Sequence, residues 1–199
     1  MKKALSLLLA LVMCLSLCAC GGVKKNPIVG TWKGGTQSGT YTYIFNTDGT
    51  YSLQITGLFA LDDHGTYSYD EESNVLTFNS EEDGTSSTTI ELNECYLCIE
   101  QVNYGKVYSN NDDCTVLNTV LGNWKQALPS GEYIDNGGTI EFKKDGTYTL
   151  TTSTDSASGI YIYNPATKIV ELPVDGITLK MSEDTTKLIG QPPSICFKR

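Results

Sequence analysis

Cysteine, histidine and clustered carboxylates are the residue types best able to do chemistry, and their spacing here argues against catalysis. Cys95-Tyr96-Leu97-Cys98 has the C-x-x-C spacing of thiol–disulfide enzymes. Redox pairs of that kind open a helix whose N-terminus lowers the thiol pKa. This pair lies instead in an apolar, strand-like run, where residues three apart point to opposite faces and bridge poorly. Together Cys95, Cys98, Cys114 and Cys196 form an even set. Outside the cytoplasm such a set permits disulfides, in a pairing the sequence leaves open, or buried free thiols. His64 is the only histidine and follows Asp62-Asp63 in an expected turn. Adjacent side chains in a turn rarely converge on one ion, so no transition-metal site is predicted. The acidic turns Glu81-Glu82-Asp83 and Asp112-Asp113 carry oxygen ligands but not the EF-hand spacing. There is no G-x-S-x-G elbow, and one histidine limits any triad to a single base. Gly34-Gly35 and Gly137-Gly138 precede no helix, so they lack the context of a phosphate cradle. The residues predict no enzyme, no metal and no cofactor.

Aromatic side chains are more suggestive. The chain has 12 tyrosines, and a phenol offers a flat apolar face with a hydroxyl, suited to a glycan, a peptide or a small apolar molecule. Tyr41 and Tyr43 share a strand face with Phe45. Tyr161 and Tyr163 share another, with Ile160 and Ile162 on its reverse. Tyr41, Tyr43, Tyr161 and Tyr163 are therefore the candidate ligand-binding residues. The competing reading of the Ile160–Tyr163 strand buries both faces, one in a core and one against a neighbouring unit. Trp32 and Trp124 are expected in the core.

The elements that position these residues read as strands. Tyr41, Tyr43 and Phe45 alternate along one strand, and Tyr51, Leu53 and Ile55 along the next. Between them Asn46-Thr47-Asp48-Gly49 suits a type I turn with glycine in the left-handed region, a G1 bulge. Further strands are expected at 65–70, 75–79, 88–92, 96–100 and 106–108. Polar turns are expected at Leu61-Asp62-Asp63-His64-Gly65, 70–74 and Glu81-Glu82-Asp83-Gly84. Gly57-Leu58-Phe59-Ala60-Leu61 is too short for periodicity to decide between a helical turn and a lid-like loop. No amphipathic helix of about ten residues or more is evident.

The second half repeats the first. Gly30-Thr31-Trp32-Lys33 matches Gly122-Asn123-Trp124-Lys125. The block from Phe45 to Leu53 matches that from Phe142 to Leu150. Gly65-Thr66-Tyr67 matches Gly159-Ile160-Tyr161, and Asn74-Val75-Leu76 matches Lys168-Ile169-Val170. The offsets are 92, 97, 94 and 94 residues, in the same order along the chain. Copies are expected over residues 27–118 and 119–199, as two small antiparallel meander β-barrels in tandem. One composite barrel or sandwich built from both halves is the alternative, because a small sheet has limited core of its own.

Two resemblances add to this reading. Met1-Lys2-Lys3, an uncharged apolar run to Ala19, and Leu17-Cys18-Ala19-Cys20-Gly21 resemble the signal and lipobox of bacterial lipoproteins. That resemblance implies a signal peptide over residues 1–19, cleavage before Cys20, fatty acylation of the Cys20 thiol, and a short tether over residues 20–26. It implies an extracytoplasmic protein held to the bacterial cell membrane by lipid, since two or three acyl chains anchor firmly. Losing Lys2 and Lys3 moves the formal charge from -9 to -11, which argues against nucleic acid as a partner. Gly-x-Trp, Phe-x-x-Asp-Gly-Thr-Tyr and Gly-x-Tyr, carried twice, resemble the lipocalin-like domains of bacterial lipoproteins. Those residues are Gly30, Trp32, Phe45, Asp48, Gly49, Thr50, Tyr51, Gly65 and Tyr67, then Gly122, Trp124, Phe142, Asp145, Gly146, Thr147, Tyr148, Gly159 and Tyr161. The resemblance implies small barrels with tryptophan plugging one end. The expected function is non-enzymatic binding of a small apolar molecule, glycan or peptide. Its rival is a structural or protein-interaction module with solid barrels. A cavity of about 300 Å³ or more would favour the first.

Overall fold

The computed structural model describes residues 26–109, 112–190 and 195–199. The segment read as a leader, and Cys20, read as its lipidation site, lie outside the described residues. Among the described residues all regular structure is β-strand apart from one short 3-10 turn, Leu117–Thr119. The two-barrel reading holds, and the composite barrel does not form.

The first barrel is a closed meander of eight antiparallel strands. They are β1 (Gly30–Thr36), β2 (Gly39–Phe45), β3 (Thr50–Gly57), β4 (Leu61–Asp70), β5 (Val75–Ser80), β6 (Gly84–Leu92), β7 (Tyr96–Ile99) and β8 (Val102–Val107). β8 returns to pair with β1, with Lys106 opposite Trp32. The second unit runs β9 (Gly122–Ala127), β10 (Thr139–Phe142), β11 (Thr147–Thr151), β12 (Ser156–Ile160), β13 (Ile162–Asn164), β14 (Ile169–Leu172), β15 (Ile177–Met181), β16 (Lys187–Gly190) and β17 (Cys196–Lys198). Its nine strands follow the same path, because β12 and β13 are one strand interrupted at Tyr161. β12 pairs with β11 and β13 with β14, just as the two ends of β4 pair with β3 and β5. β17 returns to β9 as β8 returns to β1.

The repeated motifs have a shared mechanical reason. Gly49 at φ 84° and Gly146 at φ 77° occupy the left-handed region that closes each Asp-Gly turn. Asp48 accepts from the Thr50 amide (3.0 Å) and hydroxyl (2.7 Å), and Asp145 does the same for Thr147 (3.0 and 2.6 Å). The tyrosine of Gly-x-Tyr then donates back to the turn: Tyr67 to the Asn46 carbonyl and Tyr161 to the Lys143 carbonyl, both at 2.9 Å. Each tryptophan closes the end of its barrel where the chain enters. Trp32 Nε1 donates to the Ile28 carbonyl at 2.7 Å, and Trp124 Nε1 to that of Val120 at 2.8 Å. A cation from the closing strand or just past it covers each indole, Lys106 over Trp32 and Arg199 over Trp124.

Three local expectations are corrected. Leu61 to His64 form the start of β4 and not a turn; the turn is Leu58-Phe59-Ala60. Polar side chains suit that strand because it extends past the end of β5, where Asp62 and His64 face water. The Gly57–Leu61 run is accordingly the tip of a hairpin, with Leu58 and Phe59 77% and 79% exposed. β8 begins at Val102 rather than 106, after a two-residue turn at Glu100-Gln101.

The barrels touch along one side. Ile160 packs against Gly35, and a Cβ on Gly105 would lie 3.0 Å from the Tyr161 carbonyl oxygen. Asn103 Nδ2 donates to both Glu171 carboxylate oxygens at 3.1 and 3.0 Å, and Asn103 Oδ1 accepts from the Tyr96 hydroxyl at 2.8 Å.

Candidate functional site

Inside the first barrel the aromatic residues fill the space above Trp32. Tyr43 stacks on Phe45 (5.4 Å between centroids) and on Phe78 (5.7 Å), and meets Tyr104 edge-on at 5.4 Å. Tyr51 meets Phe78 edge-on at 4.9 Å. Above this stack, at the end opposite Trp32, a cavity of about 180 Å³ opens between Tyr43, Tyr51, Asp63, Phe78, Ser80, Asp83, Gly84, Ser86, Ile99 and Glu100. The β3–β4, β5–β6 and β7–β8 hairpins rim it. The strand alternation that makes the core apolar also points Asp63, Ser80 and Ser86 inward at this level.

Asp63 is the polar centre of the mouth. Its carboxylate accepts from the Tyr51 hydroxyl at 2.6 Å and the Ser80 hydroxyl at 2.7 Å. Burial works to raise its pKa, but the bonds from Ser80 and Tyr51 and the His64 amide outweigh burial and hold it below the usual value. Burial, reinforced by the charges of Glu100 and Asp63, pushes the Tyr43 phenol up to about 12. Burial and the bond to Asp63 likewise raise Tyr51. At neutral pH the mouth therefore holds neutral phenols beside the ionised Asp63 carboxylate.

The second barrel provides an internal comparison. Tyr43 pairs with Trp32, and its counterpart Ile140 pairs with Trp124. Asp63 pairs with Leu53, and its counterpart Ala157 pairs with Leu150. Phe78 pairs with Ser86, and their counterparts are Leu172 and Ile177. The positions that are Tyr, Asp, Phe and Ser in the first mouth are thus Ile, Ala, Leu and Ile in the second. Tyr148, the counterpart of Tyr51, donates instead to Asp175 in a nearby turn.

The tyrosines singled out from sequence divide between these settings. Tyr43 lines the cavity, and Tyr41 packs against the same core one step further along β2. Tyr161 and Tyr163 are buried in the second core, with only 2% and 5% exposure. Ile160, on the reverse face of that strand, meets the first barrel. This is the reading in which both faces are covered, so Tyr161 and Tyr163 present no binding surface. Of the two states the sequence left open for the cysteines, bridged or free, the structure has the second: Cys95, Cys98, Cys114 and Cys196 are free thiols. Cys95 instead donates to the Tyr163 carbonyl at 3.7 Å, and its burial pushes the thiol up to about 12. His64 faces outward beside Glu81, 3.2 Å from its carboxylate. The turn reading of Asp62-Asp63-His64 hid Asp63. Following the repeat in register would have exposed it, since alanine fills the equivalent place.

The fold defines a class: an antiparallel up-and-down β-barrel protein, duplicated in tandem. No family model matches the chain, and no curated protein matches it. Among solved structures it is similar to a protein of unknown function from the DUF3598 family of Nostoc punctiforme. The two are 8% identical, the match covers 82% of this chain and 77% of that one, and the TM-score is 0.23. A likeness that loose carries no argument about function.

Proposed function

We propose that this chain is a lipid-anchored, extracytoplasmic binding protein without enzymatic activity, with lipocalin-like barrels of unequal role. The first barrel takes a small ligand, or the end group of a glycan, peptide or protein, at its mouth. The second is structural support. One observation carries the reading: equivalent inward positions are Tyr43, Asp63, Phe78 and Ser86 in one copy and Ile140, Ala157, Leu172 and Ile177 in the other. Placing a carboxylate on an inward face costs free energy unless it is well bonded, and the apolar set of the second copy builds the same barrel without it. The cavity of about 180 Å³ falls below the roughly 300 Å³ expected of a carrier that encloses its ligand, so it suits a compact group only. The lipid anchor rests on the Leu17–Gly21 lipobox at the end of an apolar run.

Mass spectrometry of the mature N-terminus, with Cys20→Ser as control, tests the anchor. A ligand-fragment screen followed by NMR on the mature chain tests the site. Hits should cluster on Tyr43, Ile99 and Glu100. Hits confined to the Ile140–Leu172 side would sink the assignment of the first mouth. The exposed Leu58-Phe59 tip favours a second reading, in which the first barrel docks an envelope protein. Loss of a cell-surface complex in Phe59→Ser, with mouth titrations unchanged, would support that reading.

A further inference from the structure

The first mouth carries a charge pattern that narrows its ligand further. We propose that it selects an organic cation, an ammonium group on a short aliphatic stem, held between the rings of Tyr43, Tyr51 and Phe78 and the carboxylates of Asp63, Asp83 and Glu100. This rests on the reading of the mouth as the binding site.

Three carboxylates line the cavity, and no lysine or arginine does. Neither Asp83 nor Glu100 forms an ion pair with a described residue. An anion would meet uncompensated like charge there. A neutral apolar group would strip water from carboxylates and give nothing back. An ammonium satisfies both the carboxylates and the aromatic faces, whose quadrupoles attract cations most strongly where water is excluded. A bare metal ion fits poorly: among the described residues no three His, Cys, Asp or Glu side chains gather as ligands.

Two further features point the same way. Glu100 and Gln101 sit at φ 50° and 70° in the two-residue turn between β7 and β8. Such a turn ordinarily takes asparagine and glycine; here two residues with full side chains hold the strained conformation, and one places a carboxylate on the rim. The Tyr43 hydroxyl, beside the cavity, makes no hydrogen bond to a described residue and is free to accept from an ammonium. The formal charge, -11 once Lys2 and Lys3 are lost from the -9 of the full chain, also draws cations toward the surface.

The test is calorimetry and NMR on the full mature chain with n-butylammonium, n-butanol and butyrate as matched probes. The expected result is that n-butylammonium shifts Tyr43, Ile99 and Glu100 and binds at least about tenfold more tightly than either other probe. Glu100→Gln, in an exposed turn where folding is not at risk, should weaken that binding by about tenfold. Nα-acetyl-lysine amide separates the sources. Binding equal to n-butylammonium indicates a lysine side chain on a partner, and weaker binding indicates a free small amine. If n-butanol binds the mouth as well as the ammonium does, or Glu100→Gln changes nothing, the cation assignment falls while the site survives. If no probe of any charge perturbs the mouth, the binding reading falls as well.

Discussion

Asp63→Ala gives the first mouth the residue that its twin already carries as Ala157. The change removes the acceptor of two short bonds, from Tyr51 at 2.6 Å and Ser80 at 2.7 Å. Hydrogen bonds to a charged group are worth about 1.5–3 kcal/mol each when fully buried. This carboxylate sits at an open cavity, where water replaces part of each bond, and its removal relieves repulsion from Asp83 and Glu100. The expected net loss is therefore about 1–2 kcal/mol. For a unit of this size that lowers the melting temperature of the first barrel by about 5–15 °C. The pH dependence gives a second signature. The folded pKa of Asp63 lies below its ordinary value. Its contribution is therefore fully present above pH ~4 and is lost as pH falls through the folded pKa. Thermal melts of both proteins from pH 7 to pH 2, by near-ultraviolet circular dichroism, should show the gap narrowing at the acid end. A variant as stable as the parent at pH 7, or a gap constant across the range, refutes the account of Asp63 as a bonded, ionised carboxylate.

Other substitutions probe the frame. Trp124→Ala removes a fully buried indole together with its bond to Val120 and its contact with Arg199; a loss of about 3–5 kcal/mol is expected in denaturant titrations. Gly65→Ala would place a Cβ 2.1 Å from the Asn79 carbonyl oxygen. It should cost about 1–3 kcal/mol and raise amide exchange along β4 and β5 ahead of the second barrel. Thiol titration of the native protein without reductant should leave Cys95 unreactive at pH 8. Unfolding should then release all four thiols at Cys95, Cys98, Cys114 and Cys196.

Strand order and the paired hairpins were legible because their determinants are local. Phe45 to Tyr51 contains its own turn, and the Gly-x-Tyr residues that brace it follow in the same order in both copies, 21 and 18 residues past the carbonyls they bond. The start of β4 was not legible, since Asp62-Asp63-His64 has the composition of a turn. Only the pairing of Leu53 with Asp63 shows that the strand continues. The pairing of cysteines was likewise beyond the sequence, because burial of Cys95 beneath Tyr163 depends on how two barrels meet. Tyr161 and Tyr163 looked available for the same reason: the side against which a bulky strand face packs is a tertiary fact. Of the mouth, Tyr43 was foreseen from its alternation, whereas Ser80, Asp83 and Glu100 come together only when three hairpins end at one level.

The way β1 is wired has a consequence for reach. The chain enters the first barrel beside Trp32, and the mouth lies at the far end of the same strand. Seven residues of β1 at about 3.3 Å each separate the two poles. With Cys20 acylated, the tether would fasten the sealed pole to the membrane and the opening would look away from it. The barrel itself would then serve as the spacer, holding its opening roughly 20 Å clear of the attachment point. The opening would then sample whatever arrives from outside rather than what lies in the bilayer beneath.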